Sequence, residues 1–315
     1  MSTATPTHWA ELGETTFVAG IRFLCAIEHW LGRWPFRLCL APVVVAHWLG
    51  NRTARHASRD YLARMQATHA VFAHTPGHWL SLRHFFSFAE TMLDKLLASH
   101  DRYPATRVQV EREVMLQQMA RGEGGVIITA HIGCLELCQA LAKHVPGFRL
   151  TALVHTAHAE DFNRLLKKLN PDAQVRLQQV TTLDAATAYQ LGQRVAAGEF
   201  VAIAGDRVPV HGGRSVFAPF LGRPAAFPIG PYVLAAALGC PLFTLACTHA
   251  GRGYRICFAR LCERVLLPRA QREAALIAHA TRYADWLQAQ LRNAPLDWFN
   301  FFPFWDQVPD DRFHR

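Results

Sequence analysis

The pattern of hydrophobic and polar positions changes texture once, near residue 105. Ahead of that point, residues 15–100 are rich in aromatics and arginine. A segment such as His78-Trp-Leu-Ser-Leu-Arg-His-Phe-Phe-Ser-Phe-Ala-Glu-Thr-Met-Leu93 puts apolar residues three and four apart, which predicts an amphipathic helix. The most apolar piece, Leu38-Cys-Leu-Ala-Pro-Val-Val-Val-Ala-His-Trp-Leu49, holds Pro42 and His47 and follows Arg33 and Arg37. A helix that spans a bilayer needs about 20 apolar residues, so this piece is too short to cross alone. It reads equally as a helix lying in the membrane interface, anchored by Trp30, Trp34 and Trp48, or as a helix buried in the core.

Beyond residue 105, short β-rich runs alternate with helical stretches. Strands are expected at Val126–Ala130, Leu150–Val154, Val175–Gln179 and Phe200–Ala204, each bounded by turn residues. Helices are expected at Cys134–Lys143, Ala159–Leu169, Leu183–Ala197, Ile229–Leu238 and Arg269–Leu291. Pro241–Thr248 and Tyr254–Arg260 read as two strands that pair with each other. Alternation of this kind predicts an α/β fold: a mostly parallel sheet flanked by helices, with a helical N-terminal region. The expected division is a helical membrane-interface region over 1–100, an α/β domain over 101–306 and a tail over 307–315.

Composition narrows the class. At 51% hydrophobic residues the chain has ample material for a core, which excludes full disorder. Lys+Arg number 33 against 24 Asp+Glu, a formal charge of +9 that calls for an acidic partner or surface. The first twenty residues lack the basic and apolar regions of a secretory signal, so the chain is expected on the cytoplasmic side. Its eight cysteines form no CxxC pair, which argues against a zinc ribbon or a redox motif and for reduced, buried thiols. Only six serines occur, none in a GxSxG elbow, which argues against an ordinary serine hydrolase.

Candidate chemistry falls at strand exits, where open α/β sheets place their ligands. In Thr129-Ala-His-Ile-Gly-Cys-Leu-Glu-Leu137, His131 ends a strand and Glu136 lies in the first turn of the next helix. On one continuous helix these side chains would point about 140° apart. Gly133 allows a bend through which Glu136 can reach His131, fix its tautomer and leave the other nitrogen as a base. A structural histidine is the competing reading, since seventeen histidines make chance pairs common. Asp206 and Arg207 leave a second strand and either orient a substrate or form a structural ion pair. Residues 216–230 either line an acyl groove or form a hairpin packed on the core, and the hairpin is favoured. Cys134 is a conceivable nucleophile but reads better as small packing.

These residues resemble a family. His131-x4-Glu136 after an apolar strand is similar to the HX4(D/E) signature of glycerolipid acyltransferases, and most similar to the bacterial lauroyl/myristoyl lipid A acyltransferases. Four landmarks carry the likeness in order: Ala130-His-Ile-Gly-Cys-Leu-Glu136, Gly205-Asp-Arg207, Phe220-Leu-Gly-Arg-Pro224 and Trp298-Phe-Asn-Phe-Phe-Pro-Phe-Trp305. The Gly-Asp-Arg turn departs from a Gly-Asp-Gln common in lipid A enzymes, and Pro42 and His47 interrupt the usual anchor. In this the chain looks closer to a side branch found beside fatty-acid-like and aryl polyene pathways.

The resemblance implies a glycerolipid acyltransferase-like fold and O-acyl transfer from acyl carrier protein or acyl-CoA to a lipid or glycolipid hydroxyl. It needs no cofactor and no nucleic acid, and it implies a peripheral or monotopic place on an anionic membrane surface, the cytoplasmic face of the inner membrane. His131 and Glu136 are the expected catalytic pair. Gly133, Asn163, Asp206, Arg207, Phe220, Gly222 and Arg223 are expected to bind substrate, and backbone amides near Gly133 to hold the oxyanion. A hydrolase that activates water at His131, or a non-catalytic lipid or carrier binder, are the alternatives.

Overall fold

The structure is a computed structural model that describes residues 26–154, 175–179, 185–208 and 214–306. Residues 26–31 are helical, and three longer helices follow: α1 (Arg33–Gly50), α2 (Arg52–His69) and α3 (His78–Ser99). Between α1 and α2 the side chain of Asn51 accepts from the Ala54 amide at 2.9 Å, so one residue ends a helix and caps the next. Helix α1 buries Phe36, Leu40 and Val44, spaced four apart on one stripe. Its other side exposes Trp34, Leu38, Val43 and Leu49, with Trp34 73% exposed. One stripe is therefore core, as the buried-helix reading expects, and the opposite surface carries exposed apolar side chains. Among the described residues no helix is long and apolar enough to cross a membrane.

A seven-stranded sheet follows, built from β1 (Val108–Glu111), β2 (Gly125–Gly133), β3 (Leu150–Val154), β4 (Val175–Gln179), β5 (Phe200–Ala204), β8 (Leu242–Ala250) and β9 (Gly253–Cys262). Its order is β1-β9-β8-β2-β5-β3-β4, parallel throughout except for the β8–β9 hairpin. The central strand β2 is covered on both faces and reads as a continuous apolar run for that reason. Between the strands lie α4 (Glu113–Ala120), α5 (Leu135–Ala142), α6 (Ala185–Ala196) and α7 (Gly230–Leu238), and α8 (Arg272–Asn293) follows β9. Helix α7 ends at Gly239 in the left-handed conformation, the stop expected of that glycine. The expected helix at 159–169 lies outside the described residues.

The two faces of the sheet carry different cores. On one, Ile128, Ala130 and Ile132 of β2 pack with Tyr283 and Leu287 of α8 and with Trp298, Phe302 and Phe304. On the other, Phe36, Leu40 and Val44 of α1 and Phe85, Leu93 and Leu97 of α3 meet Cys134, Leu137, Cys247, Tyr254 and Ile256. The N-terminal helices thus pack directly on the sheet. Residues 215–228 form the antiparallel hairpin β6 (Ser215–Phe220) and β7 (Arg223–Pro228), turned by Leu221 and Gly222 at φ 49 and 79.

Candidate active site

Strand β2 loses its regular ladder at the end that matters. Its pairing with β5 stops at Thr129, and its register against β8 shifts between Thr129 and Gly133. A strap after α8 takes up the freed edge: Phe299 N–H donates to His131 O at 2.9 Å, and Gly133 N–H donates to Asp297 O at 2.9 Å. Gly133 sits at φ 55, and a Cβ there would lie 1.8 Å from the Cys247 carbonyl oxygen. Only glycine fits this close approach, and it turns the chain into α5.

His131 is held there by one carboxylate. Asp206, wholly buried two residues past β5, accepts from His131 Nδ1 at 2.8 Å on one oxygen and from the His131 amide at 2.9 Å on the other. The second oxygen also accepts from Asn300 Nδ2 at 2.7 Å and Trp298 Nε1 at 3.2 Å. Burial alone would push the Asp206 carboxyl up, but the charge and hydrogen bonds of His131 and the charge of Arg207 hold it down at about 2. Arg207 donates to Asn300 Oδ1 at 2.8 Å, closing a ring of polar contacts around the acid.

The imidazole side chain keeps 36% of its surface open. Burial of its inner side, reinforced by the Arg207 and Lys95 charges, lowers its pKa despite Asp206. The outcome is a neutral ring with Nδ1–H fixed on Asp206, which leaves Nε2 with its lone pair. Among the described residues no hydrogen bond to Nε2 is formed.

Glu136 is not the partner of His131. It begins α5 and forms an ion pair with Lys95 of α3, while Asp206 already occupies Nδ1. Of the two, Lys95 acts by charge on His131. The expected backbone oxyanion donors are also engaged, because the Gly133 amide is bonded to Asp297 O and the Cys134 amide to Cys247 O, each at 2.9 Å.

The remaining expected residues divide. Asp206 and Arg207 come together at the site. Phe220 does not: its ring is wholly buried among Phe227, Trp298, Phe304 and Trp305. Gly222 lies in the turn of the hairpin beside α2, where Thr68 lies 3.5 Å from the position of a Gly222 Cβ, and Arg223 begins β7 opposite Phe220. Phe220 thus packs in the core, whereas Gly222 and Arg223 are exposed. Asn163 lies outside the described residues.

Sequence reasoning missed a second clamp. His249, near the end of β8, donates its Nδ1–H to Asp297 at 2.8 Å and its amide to the other oxygen of the same carboxylate at 2.6 Å. Its only sequence signal was a histidine one residue beyond an expected strand, the same cue that marked His131.

A parallel sheet whose carboxyl edge carries a carboxylate-held histidine belongs to the α/β class that binds ligands at strand ends. Within that class, residues 82–307 match the family of bacterial lipid A biosynthesis acyltransferases, and the chain belongs to that family. Membership implies an acyltransferase acting on a lipid. The matched stretch contains both histidines and both of their carboxylates. No curated protein matches the chain.

Proposed function

We propose that the protein moves a fatty or polyene acyl group from a thioester, on acyl carrier protein or coenzyme A, to a hydroxyl of a lipid or glycolipid. The observation that carries this reading is the clamp on His131, which points an unprotonated Nε2 outward at the carboxyl end of the central strand. Nε2 takes the hydroxyl proton as the oxygen attacks the thioester carbonyl. Asp206 holds the tautomer and stabilises the imidazolium, in place of Glu136. Base catalysis of this kind contributes about 10²–10⁴-fold in rate.

Transfer is direct in this reading. Cys134 is buried, and burial first, then the Glu136 charge, pushes its thiol well above the ordinary range, so it makes a poor nucleophile. We further propose peripheral attachment to the cytoplasmic face of an anionic inner membrane through the uncovered side of α1. Burying each large apolar side chain there contributes about 1.5–3 kcal/mol. The net positive charge adds attraction to acidic headgroups.

The test compares lipid extracts by mass spectrometry from cells that make wild-type protein, the His131→Ala variant or neither. A species heavier by one acyl group, present only with wild type, supports the reading and identifies chain and acceptor. Free fatty acid without an acylated lipid would instead identify a hydrolase.

A further inference from the structure

The second clamp lies at the same carboxyl edge of the sheet as the first. Strands β2 and β8 are parallel neighbours, and both histidines lie at their carboxyl ends. Cys247 packs on the face covered by α1, α3 and α5, and His249, two residues on, points the same way. One face of α3 serves both histidines. Ser87 reaches Asp297 at 3.5 Å, Glu90 and Asp94 act by charge on His249, and Lys95 acts on His131.

We propose that His249 is a second catalytic residue at this edge of the sheet, donating from Nε2–H to the thioester carbonyl oxygen as that oxygen becomes an oxyanion. This rests on the acyl-transfer reading above. Three observations support it. The histidine is fixed by a carboxylate that is 2% exposed, yet its own side chain is 32% open. With Nδ1 committed to Asp297, Nε2 is the nitrogen that can meet a substrate, and no hydrogen bond to it is formed among the described residues. The amides of Gly133 and Cys134, which follow His131 in the chain, are already bonded.

The charges around His249 favour a donor. Asp297 comes from the strap, Glu90 and Asp94 from α3, and the Tyr254 ring of β9 lies 4.3 Å away, centroid to centroid. Arg33 and Arg37 of α1 are tied to Asp94 and Glu90 respectively. Burial lowers the His249 pKa, but the Asp297 hydrogen bond and the carboxylate charges outweigh it and raise the pKa overall. Paired groups whose environments push their pKa values apart divide acid and base roles.

The step balances. The acceptor hydroxyl gives its proton to His131 Nε2, and its oxygen bonds to the carbonyl carbon. The C=O electron pair moves onto oxygen, held by His249 Nε2–H. Collapse restores the carbonyl, breaks C–S and expels a thiolate, which takes the proton from His131. The products are an ester and a free thiol, and both imidazoles end as they began.

The test uses the purified full chain with dodecanoyl-coenzyme A and a detergent-dispersed bacterial lipid extract, following the acylated lipid by mass spectrometry across pH. His249→Gln is expected to lower kcat by about 10²–10³-fold with the donor KM little changed, and to remove the alkaline limb of the profile. A folded variant that keeps wild-type kcat and its alkaline limb overturns the proposal. Should the variant not fold, nitrogen NMR of the wild type decides. Binding of 2-oxotetradecyl-coenzyme A, a non-transferable ketone, is expected to shift the His249 Nε2 resonance, and saturation without a shift overturns the assignment. A wild type that transfers nothing sinks both readings. His131→Gln at full activity sinks only the base assignment.

Discussion

His131 and His249 end neighbouring strands, and each is gripped through amide and Nδ1 by the two oxygens of one buried carboxylate. Their protonation nevertheless diverges. The charges around His131 beyond its clamp are the cations Arg207 and Lys95, and its pKa falls. Those around His249 are Asp94 and Glu90, and its pKa rises. The comparison teaches that the clamp selects which nitrogen faces the cleft, while the next layer of charge decides whether that nitrogen carries a proton.

The largest effect should come from deleting the base. His131→Ala is expected to reduce transfer by about 10²–10⁴-fold while the circular dichroism melt stays near wild type. Unchanged turnover would remove the functional half of the contrast. Asp206→Ala attacks the clamp itself and orphans buried donors from His131, Trp298 and Asn300. A loss of about 3 kcal/mol in urea unfolding is expected, and a loss below 1 kcal/mol would mean that the acid is not holding this end of the sheet.

How much of this was readable beforehand follows from what is local. Leu150–Val154, Val175–Gln179 and Phe200–Ala204 were expected as strands and have those bounds, because a short β-rich run between turn residues carries its own signal. His131 and Asp206 were each recognised as strand-exit residues, but their partnership was not. It depends on β5 lying beside β2, and strand order is not a property of any local stretch. Glu136 is near His131 in sequence, but its carboxylate pairs with Lys95. His249 and Asp297 stand far apart along the chain, and the long connection through β9 and α8 hid their meeting. Phe220 and Gly222 show the converse: a recognisable landmark whose physical role is a packed hairpin.

Two smaller effects refine the comparison. Trp34→Ser with Leu38→Ser leaves both clamps intact and removes two exposed apolar groups from α1. Flotation with anionic vesicles should fall at least tenfold while thioester turnover in detergent is unchanged. Equal flotation would deny α1 a role at a membrane.

The smallest expected change is in pH dependence. Activity should rise through a midpoint below 6.5, as neutral His131 becomes available. Lys95→Met removes a nearby cation and unpairs Glu136, so it should move that midpoint upward by about half a pH unit. A downward move would reverse the electrostatic account. Stability has matching signs: the contribution of His131 is lost as pH falls below the unfolded value near 6.5, and that of His249 as pH rises through its elevated folded value.

The strap after α8 has a consequence in time. Asp297 supplies the His249 carboxylate, Trp298 and Asn300 complete the shell of Asp206, and Trp305 N–H fastens the strap to the Phe220 carbonyl at 3.1 Å. Every strand of the sheet, and α8 itself, is synthesised before it. A growing chain can therefore assemble its sheet from the N-terminal side while neither clamp is complete. The order of translation then works as a delay, and the cleft acquires its finished chemistry only after the scaffold that bears it has been made.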